Sequence, residues 1–395
     1  MKDPREFEDF ETRAVRGQME RTYQKEHSTP LFMTSSYLFD DAEEARALFA
    51  NEREGNIYSR YSNPNTDELI SKLCDMEGTE DGVAVASGMA AMFAVFGALL
   101  DAGDHLVACR SVFGSTHQVI TQILPRWKIS HTYVNVDAPQ DWEKALKPNS
   151  KVLFLETPTN PGLDLIDLEW AGKFAQEHNL ILVVDNCFAT PYLQQPAKWG
   201  AQLVCHSTTK FLDGQGRTVG GAILGTKELM EKIRFFTRQT GPSLSPFNAW
   251  ILSKSLETLA VRMDRHCATA LDAARFLEAH PEVEWVKYPF LPSHPAYKTA
   301  MKQMSQGGGV VTFGIKGGLE RGRKFLDSLE LFSLSANLGD SRSIATHPAS
   351  TTHSKLTPEQ RSEAGIPDNL IRISLGLESW GDIRRDLDGA FKSSL

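Results

Sequence analysis

The chain has 395 residues, of which 41% are hydrophobic and 23% charged, an ordinary globular composition. Its net charge of −8 comes without any block of basic residues, which argues against nucleic acid as the main partner. No apolar run reaches the roughly 18 residues that suggest a membrane span, so no membrane partner is expected. The N-terminal "MKDPREFEDFETRAVRGQ" is charged throughout and lacks the apolar centre of a signal peptide. Cys74, Cys109, Cys187, Cys205 and Cys267 are scattered singly, with no CxxC pair; an odd number of thiols without a signal suggests reduced cysteines in the cytoplasm. The length leaves room for two or three domains and an ample core.

Residues 1–52 show no strong core pattern and are read as an N-terminal arm that packs on something else, such as another subunit. From about residue 80, short apolar runs alternate with longer amphipathic ones. "GVAVAS", "HLVAC", "KVLFLE", "LILVVD" and "QLVCH" read as strands buried on both faces, as in a parallel sheet. Helix-like segments such as 88–100 and 167–178 lie between them, so residues 53–245 are expected to form a large open α/β domain. After about residue 245 a long helical pattern, "FNAWILSKSLETLAVRMDRHCATALDAARFLEA", leads into "PEVEWV", "GVVTFGIKG" and "LIRISLG". Residues 246–395 therefore read as a smaller α+β domain.

In open α/β sheets, ligands bind beyond the C-terminal ends of the strands. The residues found there are Ser87, Gly88 and Met89; Thr157, Pro158, Thr159, Asn160 and Pro161; Asp185 and Asn186; and His206, Ser207, Thr208, Thr209 and Lys210. Each alone has a bland reading: a Ser-Gly before a helix is usually only a cap, and a terminal Asp usually a turn residue. Four polar strand ends on one edge are harder to dismiss. Backbone N–H groups of Gly88 and Met89 at a helix start suit a phosphate, with hydroxyls from Ser207 and Thr209. Asp185 could keep a ring nitrogen protonated, and Lys210 could form an imine with an aldehyde. Those are the requirements of pyridoxal 5'-phosphate.

With "HSTTKFLDGQGR", "SVFGST", "GPSLSPFNAW", "YSRYSNP" and "NLGD" in view, nearly the whole chain resembles the pyridoxal-phosphate enzymes of cysteine and methionine metabolism. Within that family its motifs are most similar to the sulfhydrylases that act on O-succinylhomoserine. The resemblance implies a fold-type I, aminotransferase-like α/β transferase with a mostly parallel central sheet, assembled as a homotetramer of two active dimers. It implies Lys210 as the Schiff-base lysine, Asp185 as the pyridinium partner, and Gly88, Met89, Ser207 and Thr209 as phosphate ligands. Tyr58 and Arg60 would reach the neighbouring subunit's phosphate. Phe113 would stack on the cofactor where most of the family has Tyr, and Ser115 stands where the γ-lyases commonly have Cys. Arg372 would grip the substrate α-carboxylate, for which a planar guanidinium is suited. Asn160 would lie near the cofactor's O3 and that carboxylate, Asn337 replaces the family's common Ser, and Thr352 would sit close by.

The implied reaction is a γ-replacement: an O-succinyl- or O-acetylhomoserine loses its ester carboxylate, sulfide adds at Cγ, and homocysteine is released. Lys210 would serve as general base. A cystathionine γ-synthase using cysteine, a γ-lyase and a non-catalytic cofactor-binding homologue are the alternatives. Retention of Lys210, Asp185 and Arg372 together disfavours the last, and Phe113 with Ser115 disfavours the lyase. "GQGRTVGG" lacks the G-x-G-x-x-G spacing of a dinucleotide site. His347 and His353, with no third ligand beside them, do not make a metal site.

Overall fold

The computed structural model describes residues 7–351, 354, 357, 361 and 365–395. Seven strands form the larger sheet: β1 (Asp81–Val85), β2 (His105–Cys109), β3 (Ser130–Val134), β4 (Ser150–Glu156), β5 (Ile181–Asp185), β6 (Leu203–Ser207) and β7 (Gly221–Gly225). Their order is β1-β7-β6-β5-β4-β2-β3, and only β7 runs against the rest. Every residue of β2, and the last five of β4, are buried, which is why these segments read as unbroken apolar runs. The two strands without that signature are β3, a half-buried edge strand, and β7, five residues bounded by glycines.

The second sheet contains β8 (Val283–Lys287), β9 (Val310–Ile315), β10 (Ser333–Leu334), β11 (Ile344–Thr346) and β12 (Leu370–Ser374). It is ordered β10-β11-β12-β9-β8 and antiparallel except between β10 and β11. Arg372 sits at the centre of β12, paired with Thr346 on one side and Thr312 on the other. The long helical pattern before this sheet is two helices, Pro246–Leu256 and Leu259–Glu278. Ser255 and Thr258 turn their hydroxyls onto main-chain carbonyls at the break, and the Arg262 guanidinium takes the carbonyl of Ser255 at 3.0 Å. Carbonyls freed by the break thus find side-chain donors.

The first part of the N-terminal segment makes contacts within its own chain. The Phe10 ring packs tilted against Tyr192 of the same chain, centroids 5.1 Å apart. Met19 N and Thr29 Oγ1 donate to the Glu68 carboxylate, and Asn65 bonds both Phe32 N and the Pro30 carbonyl. Glu68 and Asn65 lie on the helix Pro64–Glu77, so the segment is tied to its own large sheet as far as about residue 32. Apolar side chains remain exposed beyond it, Leu38 fully and Met33 and Phe49 by 66% and 60%.

Beneath the carboxyl ends of β5 and β6 lies a dry polar knot. Glu77 and His206 are both 0% exposed and meet at 2.6 Å. The same Glu77 oxygen accepts from Asn186 Nδ2 at 2.8 Å, and Gln194 Nε2 bonds Asn186 Oδ1 and the Thr157 carbonyl. In this way the helix Pro64–Glu77 fixes the residues next to Asp185 and Ser207. Removing one partner of a buried pair leaves the other without solvent or counterpart. Glu77→Ala should therefore lower the unfolding free energy by about 3–5 kcal/mol, with Glu77→Gln losing less. Denaturant or thermal unfolding of the two variants beside the parent checks the order.

Candidate active site

Register brings the strand ends level: Glu156 pairs with Asp185, and Asp185 with Cys205. Over this edge opens a cavity of about 950 Å³, walled on the other side by residues around Ala336–Leu338 and by Arg372 of the second sheet. Gly88, Met89, Phe113, Ser115, Asn160, Asp185, Ser207, Thr209, Lys210 and Arg372 all line it.

The helix Gly88–Leu99 starts at this cavity, capped by the Ser87 side chain, which accepts from Ala90 N at 3.0 Å. That cap leaves the Gly88 and Met89 N–H groups without intrahelical acceptors. Glycine is required at 88 by close approach, since a Cβ there would stand 2.6 Å from the Ser207 Cβ. Helix start and β6 end are thus pressed together, with the Ser207 hydroxyl beside the free N–H groups. The Thr209 hydroxyl is shared with Gly220, accepting from its N–H at 3.1 Å. Such an array of N–H and O–H donors suits a phosphate.

Lys210 follows β6 in a turn, and its Nζ donates to Asn337 Oδ1 at 2.5 Å. Gly339, at φ +75°, allows this pairing: a Cβ there would lie 2.6 Å from Phe211 N, so the "NLGD" segment runs directly against the lysine's backbone. Burial lowers the basicity of the Lys210 amine, and the Arg372 charge adds to that. Arg372 is 5% exposed, donating to Asn160 Oδ1 at 2.8 Å and to the Asn337 carbonyl at 3.0 Å. Its Nε has no partner, and no carboxylate pairs with it among the described residues. Burial pulls this guanidinium down to about 10, so it remains cationic at neutral pH and lacks a counter-charge.

Asp185 presents the complementary case. Cys187 N donates to its Oδ1 at 3.0 Å, and Oδ2 receives no hydrogen bond from the described residues. Burial pushes this carboxyl up to about 6. Beside it, Glu156 accepts from Phe113 N at 2.7 Å and from Asn160 N at 2.9 Å, and burial, together with the Asp185 charge, raises its carboxyl strongly. A cationic ring at Asp185 would relieve both acids. A phosphate, a ring cation, an aldehyde and a carboxylate each find a fitted partner here, so the residues present suit pyridoxal phosphate with an amino acid attached.

Other expected residues lie elsewhere. Tyr58 and Arg60 border a separate depression with Tyr37 and Phe49, and Arg60 Nη1 is bonded to the Arg238 carbonyl. Thr352 and His353 fall outside the described residues. His347 is spent on Ser350 Oγ and the Asp368 carbonyl. Glu156 does not stand out in the sequence, where it closes the apolar run "KVLFLE". Its signal was position, since it ends β4 at the level of Asp185.

The family described as Cys/Met metabolism PLP-dependent enzyme matches residues 11–392. The chain is 46% identical over 378 residues to an O-succinylhomoserine sulfhydrylase of Pseudomonas aeruginosa, covering 96% of this chain and 94% of that one. It is 41% identical to an L-methionine gamma-lyase of Treponema denticola, with 92% of each covered. Among solved structures, a putative O-acetylhomoserine (thiol)-lyase of Campylobacter jejuni, bearing N'-pyridoxyl-lysine-5'-monophosphate, superposes with a TM-score of 0.93. That pair is 35% identical, covering 98% of this chain and 100% of the other.

The buried Asp185 makes stability of the cofactor-free protein depend on pH. Its folded value near 6 lies above the ordinary 3.8, so its favourable contribution is complete below about pH 4 and lost as pH rises through 6. Asp185→Asn removes this penalty, so the cofactor-free variant should be more stable than its parent at pH 7.5 by about 2–3 kcal/mol. The two should converge near pH 4. Melting curves across that range test it; a difference independent of pH would refute the assignment.

Proposed function

We propose that this chain, which belongs to the Cys/Met metabolism PLP-dependent enzyme family, catalyses a γ-replacement on an acylated homoserine with sulfide as nucleophile. The products are homocysteine and the free carboxylate, with O-succinylhomoserine as the first candidate ester. The observation that carries the amino-acid chemistry is the pair of cations, Lys210 and Arg372, set on one cavity with no ion-paired carboxylate for either among the described residues. Full-length identity of 46% to an O-succinylhomoserine sulfhydrylase supports the same reaction class.

Pyridoxal phosphate, when bound, supplies an aldehyde that links the substrate amine and a protonated ring that withdraws electrons from the substrate carbons. In the proposed scheme Gly88, Met89, Ser207 and Thr209 hold the phosphate, and Asp185 keeps the ring nitrogen protonated. Phe113 covers the ring face, fixed through its own N–H by Glu156. Arg372 takes the substrate α-carboxylate on its free Nε and one Nη, and Asn160 orients the guanidinium from the other side. Lys210 is the residue that would hold the aldehyde, and with a substrate amine in its place the side chain would be a free base in the cavity. Its lowered basicity favours the neutral amine, which moves the Cα proton and then assists at Cβ. Phe113 has no hydroxyl, so proton traffic falls on Lys210. The acyl carboxylate leaves Cγ, hydrosulfide forms the new C–S bond there, and Lys210 returns the protons.

Tyr58 is 43% exposed in a depression shared with Phe49, and Met33 and Leu38 of the same N-terminal region are exposed apolar side chains. This surface supports a homotetramer built from active dimers, in which Tyr58 and Arg60 serve the neighbour's phosphate and Tyr58 its substrate. A cytoplasmic location accords with the five unpaired cysteines.

The test is an assay of the purified holoenzyme with each ester, supplied with sulfide, with cysteine or with neither. Homocysteine from sulfide is expected; cystathionine from cysteine as main product, or 2-oxobutanoate without nucleophile, would overturn the assignment. Lys210→Ala should fold yet lose at least ~10³-fold in turnover. Arg372→Ala should raise KM by about 10- to 100-fold, the worth of a charge-assisted bond.

A further inference from the structure

Arg110 is left without a task by the scheme above, although it lines the same cavity. It directly follows β2, and its backbone N donates to the Val134 carbonyl at 2.8 Å. The side chain is held as well: Nε donates to Asn135 Oδ1 at 3.2 Å, and the guanidinium carbon lies 5.6 Å from the centre of the Tyr133 ring. The Tyr133 hydroxyl is paired with His117 Nδ1 at 2.9 Å, and the two rings stack. Burial, and then the Arg110 charge, lowers the basicity of His117. This wall therefore presents one exposed cation oriented by Asn135 and Tyr133, and no carboxylate pairs with Arg110 among the described residues.

The tasks already assigned to the other charged groups of the cavity narrow what Arg110 could face. Lys210 is taken by the aldehyde and Arg372 by the α-carboxylate. Asp185 has the ring cation, and both Glu156 oxygens are taken by N–H groups. A substrate with one carboxylate leaves Arg110 facing only solvent on this wall, whereas a second, distal carboxylate would meet it. The two candidate esters differ in that one group: the succinyl ester carries a terminal carboxylate and the acetyl ester ends in a methyl. The Nη groups of Arg110, which make no hydrogen bond among the described residues, offer a fork that matches a carboxylate.

We propose that Arg110, oriented by Asn135 and Tyr133, binds the distal carboxylate of the acyl group and makes the site selective for the succinyl over the acetyl ester. The inference rests on the γ-replacement reading of the same cavity. Arg110 then also holds the departing succinate, so free succinate is a ligand of the site and acetate a much poorer one.

The experiment compares the parent holoenzyme with Arg110→Gln and Arg110→Lys. KM and kcat are measured for both esters with sulfide, and succinate and acetate binding by titration calorimetry. Arg110→Gln should raise KM for the succinyl ester and weaken succinate binding by roughly 10- to 100-fold. The acetyl ester should change far less, and Arg110→Lys should recover part of the loss. Equal losses on both esters, or unchanged succinate binding, would overturn the proposal. If the parent forms homocysteine from neither ester, the γ-replacement reading fails on its own, and the calorimetric comparison still decides the role of Arg110.

Discussion

Two carboxyl groups that end adjacent buried strands are the constraint around which this site is built. Glu156 and Asp185 are neighbours in register, both dry, and like charges so placed disfavour each other's ionisation. The structure treats them unequally. Glu156 is given two backbone N–H donors, from Phe113 and Asn160, which favour its charged form. Asp185 is given one, from Cys187, and keeps an oxygen for the cavity. The inequality assigns their roles: Glu156 ties the segment that carries Phe113 and the loop that carries Asn160 to the sheet, and Asp185 waits for a cation.

The opposite wall is organised by the converse problem. Arg372 is buried between Ile371 and Ile373 with a carbonyl, an amide oxygen and an orphan Nε around it. Burying a guanidinium without an acid is costly in folding, and nothing in the packing of β12 requires it. Its presence makes sense as a standing demand for a carboxylate. Asn337 links the two cations, accepting from Lys210 on its side chain and from Arg372 on its main chain. A Ser there would keep the second contact and alter the first, so Asn337 bears on the lysine more than on the carboxylate.

How much of this was legible in the sequence follows from where each signal is local. The parallel strands were legible because burial on both faces removes polar residues, and the site edge because polar residues then stand out at the ends of those runs. β3 and β7 were not, one lying half-exposed at the edge and the other hidden in a glycine-rich stretch. Residues 10–32 have no periodic apolar face because polar contacts with Glu68 and Asn65 tie much of this stretch to its own chain. Glu156 and Arg110 each look like ordinary strand-end charges. Only register and the cavity wall separate them from turn residues.

The chain is 46% identical to a sulfhydrylase and 41% identical to a methionine γ-lyase, so much of what it shares with the first it also shares with the second. The sheet, the paired acids and the buried guanidinium answer needs that any amino acid on this cofactor would have. What distinguishes one substrate from another must lie in side chains that meet only its variable end. Those are on the wall that begins with Arg110 and Phe113, carried by the segment that Glu156 anchors to the sheet. Residues there can change without disturbing the dry layer beneath, because they are partly exposed and their neighbours are side chains rather than strand backbone. Chemistry is thus fixed where water is excluded, and selectivity sits at the mouth, where a single charge can be exchanged at small cost to the fold.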